Sequence, residues 1–130
     1  MAKKILLVDD SLTDRTLIRK IIDSHQYQVV ESEQSDQIDQ IIQKEKPDLI
    51  ILDIVMPGTN GYQICRELKR SPETRSIPVV FVSGKNQQSD IFWGKQQGAD
   101  AYLSKPIEPV QLLNVVDQFL HSQQETNVHE

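Results

Sequence analysis

The sequence predicts an α/β fold, a doubly wound parallel sheet of five strands with helices on both faces. Three observations carry that prediction. Short apolar runs alternate with amphipathic stretches along almost the whole chain, and parallel neighbours in a sheet need a connection of that length between them. The strongest apolar runs are continuous rather than alternating, as expected of strands covered on both faces. The 130 residues suit one compact domain and no second one.

Each element has its own signal. Ile5-Leu6-Leu7-Val8 reads as a buried first strand. Ser11 is placed to cap the helix that follows, in which Leu17, Ile18, Ile21 and Ile22 recur at helical spacing. Tyr27 to Val30 is a second, weaker strand, and Ile38, Ile41 and Ile42 mark the apolar stripe of a second helix. Pro47 breaks the chain before Leu49-Ile50-Ile51-Leu52, the clearest central-strand signal present. Met56-Pro57-Gly58 forces a turn, Asn60 can cap a third helix running to about Arg70, and Ser71-Pro72 ends it. Pro78 opens the fourth strand, Val79-Val80-Phe81-Val82, which Ser83-Gly84 closes. A helix carrying Ile91, Phe92 and Trp93 precedes a short strand around Ala101-Tyr102-Leu103. After Pro106 and Pro109 the last helix presents Leu112, Leu113, Val116, Phe119 and Leu120. This divides the chain into a domain over 1–121 and a polar, aperiodic tail over 122–130, expected to be disordered.

Composition excludes several functions. A net charge of −5 with scattered basic residues argues against nucleic acid as a partner, since neutralising phosphates needs clustered positive charge. The sole cysteine, Cys65, rules out an internal disulfide, suits a reducing cytoplasm, and reads as a packed, inert thiol. Asp9-Asp10 stops the first apolar run after four residues, too short for a signal peptide or a membrane span. Trp93 is expected to be partly packed core, or a partner contact if exposed. His25, His121 and His129 lie near ends or turns and read as solvated.

In an open parallel sheet, ligands bind beyond the carboxyl ends of the strands. A dinucleotide binder would place glycines after the first strand; here that turn reads Asp9-Asp10-Ser11-Leu12, two carboxylates where a pyrophosphate would sit. The third strand ends in Asp53, the fourth in Ser83, and the fifth is followed by Ser104-Lys105-Pro106. Three carboxylates, one hydroxyl and one ammonium therefore share one edge. Grouped carboxylates repel, so one is protonated or a cation is present. Oxygen donors without His or Cys select a hard ion, and Mg²⁺ is the best candidate because it takes one or two carboxylates and shares phosphate oxygens. Lys105 can hold an incoming anion and Ser83 can donate to it, parts that suit phosphoryl transfer.

Asp9-Asp10, Asp53 with Met56-Pro57-Gly58, Ser83 and Lys105-Pro106, in this order at strand ends, resemble the response-regulator receiver family. The resemblance runs from about Lys3 to Leu120. It implies a flavodoxin-like (βα)5 fold with strand order 2-1-3-4-5. Residue by residue it implies that Asp53 is the phosphoacceptor. Asp10, Asp53 and the backbone carbonyl of Val55 would bind Mg²⁺, with Asp9 acting through metal-bound water. Ser83 would hydrogen-bond the phosphoryl group and Lys105 would pair with it. Tyr102 takes the switch-aromatic position, Val55 and Lys85 take positions that tune phosphoryl lifetime, and the Lys105-Pro106 peptide is expected to be cis.

The function so implied is that of a stand-alone cytoplasmic regulator. A histidine kinase or phosphotransfer protein would act upstream, and a protein target would read the face formed by the fourth helix, fifth strand and fifth helix. The regulator would work as a monomer or as a phosphorylation-dependent dimer. The segment Ser89 to Asp100 is similar to CheY-like regulators of twitching motility and phototaxis. Two other readings stay open. A phosphohydrolase could use Asp53 as nucleophile, although Val55 stands where phosphohydrolases of the haloacid-dehalogenase type, whose site is similar, carry an acid. A constitutive interaction module could have kept the fold without phosphotransfer.

Overall fold

The computed structural model describes residues 2–33 and 37–128, with side chains as far as residue 121. The sheet strands are β1 (Lys4–Val8), β2 (Gln28–Ser32), β3 (Leu49–Leu52), β4 (Val79–Ser83) and β5 (Ala101–Ser104). Between them run α1 (Leu12–Asp23), α2 (Ile38–Glu45), α3 (Gly61–Arg70) and α4 (Gln88–Gln96), and α5 (Pro109–Val128) follows β5. Counting these sheet strands alone, the order is 2-1-3-4-5, all parallel, as the resemblance implies. A small antiparallel hairpin, Val55–Met56 against Thr59–Asn60, links β3 to α3. Its turn places Pro57 before Gly58, whose φ of 81° is a conformation glycine adopts without steric cost.

Strand side chains alternate between two cores, following the two-residue period of the pleat. Ile5, Leu7, Leu49, Ile51, Val80, Val82 and Leu103 pack under Ile18 and Ile22 of α1 and under Leu112, Val116 and Leu120 of α5. Leu6, Val8, Ile50, Leu52, Val79 and Phe81 pack under α2 and α3 on the other face. With both faces covered, the central strands read as unbroken apolar runs.

The helices follow the caps and stripes read from the sequence, with informative departures. Ser11 and Asn60 accept hydrogen bonds from the Asp14 and Gln63 backbone N–H groups at the starts of α1 and α3. Leu17 lies outside the α1 core stripe and is exposed. Tyr27 precedes β2 instead of opening it. The residue of α4 that turns inward is Gly94, because a Cβ there would stand 2.9 Å from Tyr102 and 3.2 Å from Phe81. With glycine as its buried point, α4 leaves Trp93 56% exposed. Trp93 borders Tyr62, Gln63, Arg66 and Gln97 in the groove between α3 and α4, and is not packed core. Cys65 is fully buried, and burial pushes its thiol up to about 11, the inert state expected. α5 continues to Val128, beyond the residue at which the sequence places the start of a polar tail. Residues 129 and 130, His129 included, lie outside the described residues.

At the edge of the sheet away from the carboxyl ends of the strands, Asp117 of α5 ties the helix to the α1–β2 connection. The Tyr27 hydroxyl donates to its carboxylate at 2.5 Å, His25 Nδ1 lies 3.1 Å from it, and His121 Nε2 lies 3.8 Å away. Partial burial disfavours the charged carboxylate, but the Tyr27 and His25 hydrogen bonds outweigh this and hold Asp117 below the ordinary carboxylate range. A group depressed by folding adds stability above its ordinary pKa and loses that contribution as pH falls through its folded value. Burial, together with that carboxylate, raises the Tyr27 phenol, so its contribution holds below about pH 10 and fades above it. Asp117→Asn is expected to cost about 1 kcal/mol at neutral pH. In urea unfolding the gap to wild type should close as the pH is taken below the carboxylate range.

Candidate functional site

The loops at the carboxyl ends of β1 and β3 lie side by side because the two strands are neighbours at the centre of the sheet, and Lys105 reaches both from the loop after β5. The ladder itself sets the acidic residues. The Asp9 N–H donates to the Ser32 carbonyl at 3.1 Å, and the Asp53 N–H donates to the Val8 carbonyl at 3.0 Å. Side-chain direction is fixed just beyond the strands. The Ser11 N–H donates to Asp9 Oδ1 at 2.9 Å, and the Ile54 N–H donates to Asp53 Oδ1 at 2.7 Å. The other oxygen of each is left facing Lys105.

Asp9, Asp10 and Asp53 each bring a carboxylate oxygen into one group whose members lie within 4.8 Å of one another. Asp9 and Asp53 are buried and Asp10 is exposed. Burial raises the Asp9 carboxyl. The Ser11 N–H and Lys105 oppose that rise, and the charge of Asp53 adds to it. Three carboxylates in a half-dry pocket, shared by a single ammonium, leave negative charge that a cation could balance. The donor set is all oxygen, with one member open to solvent. That fits a hard divalent ion such as Mg²⁺, which keeps part of its water shell.

Lys105 enters from the loop after β5. Its N–H donates to the Ser83 carbonyl at 2.8 Å, and the Lys105-Pro106 peptide is cis, as expected. Lys105 Nζ donates to Asp14 Oδ2 at 2.7 Å, Asp9 Oδ2 at 3.0 Å and Asp53 Oδ2 at 3.4 Å. Burial works against the ammonium, but the hydrogen bonds to Asp14 and Asp9 and the charge of Asp53 prevail and hold it well above the ordinary lysine range. Ser83 is fully buried, and its Oγ accepts from the Lys85 N–H at 3.2 Å. The Lys85 and Val55 side chains are exposed at the rim.

Tyr102 is half-buried on β5. Its ring packs on Phe81 at a centroid distance of 5.8 Å, and its hydroxyl donates to the Lys85 carbonyl at 2.6 Å. Burial pushes its phenol up to about 12, so it remains a donor at physiological pH. A hydrogen bond therefore links the aromatic ring to the loop that follows Ser83.

Asp14 and Arg15 also belong to this site, and the sequence reading does not single them out. Arg15 is buried, donates from Nη1 to the Asp9 carbonyl at 2.7 Å, and pairs with Glu31 at 3.2 Å. Asp14 stands third after Ser11, where an acidic residue reads as part of a helix cap, and that pattern hides its contact with Lys105.

Fold and site together define a phospho-receiver class of signalling domain, and comparison with known proteins agrees. The family profile described as response regulator receiver domain matches residues 5–117, and the chain belongs to that family. Its relatives include Protein PilH of Pseudomonas aeruginosa, 41% identical over 117 residues that cover 90% of this chain and 97% of that protein. Among solved structures, chemotaxis protein CheY4 of Vibrio cholerae superposes with a TM-score of 0.84 at 25% identity, covering 92% of this chain and all of that one. The BeF3-activated N-terminal receiver domain of Klebsiella pneumoniae RstA gives a TM-score of 0.83 at 30% identity, covering 91% and 98%. The family is one of signalling regulators. Among the described residues, no helix is long and apolar enough to cross a membrane.

Proposed function

We propose that the chain accepts a phosphoryl group on Asp53 with Mg²⁺ bound beside it, and signals through the change this makes on its surface. The observation that carries this reading is the meeting of Asp9, Asp10 and Asp53 with Lys105 at one strand edge. Asp10, Asp53 and the Val55 carbonyl would hold the ion, and Asp9 would act through its water. The ion supplies positive charge to phosphoryl oxygens. A carboxylate oxygen of Asp53 attacks phosphorus, and the bond from phosphorus to the donor nitrogen of a phosphohistidine, or to the acyl oxygen of acetyl phosphate, breaks. The leaving group departs with its electron pair. The Ile54 N–H fixes the carboxylate, and Lys105 and the Ser83 hydroxyl meet the charge on the transferred oxygens. Val55 and Lys85, exposed at the rim, would tune how fast water removes the group.

Signalling would run through Tyr102. Drawing Ser83 toward the phosphoryl group shifts the loop whose Lys85 carbonyl holds the Tyr102 hydroxyl, so the ring would lose its outward partner and turn inward. That would change the face of α4, β5 and α5 that a protein target reads. The donor would be a histidine kinase or phosphotransfer protein, and the setting the cytoplasm. The receiver would comprise residues 1–121 with 122–130 as an appended segment, acting as a monomer or a phosphorylation-dependent dimer. The 41% identity with Protein PilH over 97% of that protein's length supports a single-domain regulator of the twitching-motility type.

The test is intact-protein mass after incubation with acetyl phosphate. One added phosphoryl group is expected with Mg²⁺ and none after chelation with EDTA. A protein that stays unmodified with donor and Mg²⁺ in excess, yet still binds its targets, would support the constitutive module instead.

A further inference from the structure

The closest partner of the Lys105 ammonium is Asp14, a residue to which the phosphoryl-transfer reading above gives no role. Asp14 Oδ2 stands 2.7 Å from Nζ, against 3.0 Å for Asp9 and 3.4 Å for Asp53. An ammonium has three N–H donors, and these three oxygens take all of them. Lys105 therefore cannot engage a new anion at full strength without loosening one existing bond. The three bonds differ in what their loss costs. Asp9 is buried, and its carboxylate would be left without a counter-charge. The Asp14 side chain is 30% exposed, so water can take the place of the lysine there. It sits on α1, an element separate from the strand ends that carry Asp9 and Asp53.

The geometry points to Asp14 as a positioning residue that anchors Lys105 in the unphosphorylated protein and competes with a phosphoryl group for its ammonium. This inference rests on the reading of Asp53 as phosphoacceptor. The plainer role for Asp14 is electrostatic support of the first turn of α1, where a carboxylate suits the helix dipole. In that role the lysine would be indifferent to its loss.

Two readouts separate these roles. The first is hydrogen exchange of the Lys105 ammonium with water, followed by ¹⁵N NMR on the metal-free protein, the signal being assigned by its absence in Lys105→Arg. The second is the rate of phosphorylation by acetyl phosphate at saturating Mg²⁺. In Asp14→Asn the ammonium should exchange several-fold faster, and phosphorylation should speed up by about three- to tenfold, the worth of one partly exposed charged hydrogen bond. Asp14→Glu, which restores the charge, should stay within about twofold of wild type on both measures. A lower melting temperature in Asp14→Asn with ammonium exchange and phosphorylation rate unchanged would assign the residue to the helix alone and overturn the proposal. If wild type takes no phosphoryl group, the reading of Asp53 fails, and unchanged ammonium exchange would then refute the anchor as well.

Discussion

Gly61→Ala is expected to destabilise the protein by about 3 kcal/mol, a fall in melting temperature of roughly 10 °C. Gly61 is buried at the first turn of α3, and its N–H donates to the Ile54 carbonyl at 2.7 Å. A Cβ there would lie 2.4 Å from the Asp53 carbonyl oxygen and 2.9 Å from Ile54 Cα. Both atoms are backbone, so neither can rotate away as a side-chain tip would. Phe81 closes the third side at 3.0 Å and is fully buried. Relief has to come from moving the segment that aims the Asp53 carboxylate, so the variant should also respond less to Mg²⁺ than wild type does. Urea unfolding with and without Mg²⁺ measures both effects. A loss under about 1 kcal/mol would mean that the β3–α3 connection yields more easily than its backbone contacts indicate.

Asp53→Asn should separate stability from function, with opposite signs. All phosphoryl uptake should disappear, because an amide is not a nucleophile toward phosphorus at neutral pH. The metal-free protein should become more stable by about 1 kcal/mol, since one of three clustered negative charges is removed. The Asn side-chain oxygen can still accept the Ile54 N–H, and Lys105 keeps Asp9 and Asp14 as partners. The pH dependence follows from Asp9, whose carboxyl burial raises. A raised carboxyl costs stability when ionised and recovers it as pH falls through the folded value. The advantage of Asp53→Asn should therefore be largest near neutrality and shrink toward acid pH. Thermal melts of both proteins in EDTA across that range check this, and an unchanged or lower melting temperature at pH 7 would mean that the Lys105 contact outweighs the repulsion.

Much of this was legible in the sequence, for identifiable reasons. Ile5–Val8, Leu49–Leu52 and Val79–Val82 are continuous because both faces of the sheet are covered, so burial itself wrote the strand signal. Ser11, Asn60 and Gly58 mark helix starts and a turn through backbone requirements that few other residues meet. The carboxylates and Lys105 could be placed at one edge because parallel connections return every strand end to the same side. What stayed hidden depends on packing between elements distant in sequence. The inward position of α4 is a glycine, which periodicity cannot register, and its neighbour Trp93 is exposed for that reason, not partly packed core. Tyr27 is buried by packing into the core beside α1 and α5, with its hydroxyl bound to Asp117, 90 residues away, and not by membership of a strand. Asp14 imitates a helix cap, so its distance from Lys105 emerges only once α1 and the β5–α5 loop are placed together.

The central claim is that the carboxylate of Asp53 itself takes the phosphoryl group, and trapping the acyl phosphate tests it most directly. Protein treated with acetyl phosphate and Mg²⁺ would be reduced with borohydride, which converts a phosphorylated aspartate to homoserine, and then mapped by peptide mass spectrometry. The structure predicts homoserine at position 53 alone, and only in samples that contained Mg²⁺. Homoserine at Asp9, Asp10 or Asp14, or conversion of Asp53 without a divalent ion, would contradict the assignment of roles within the acidic site.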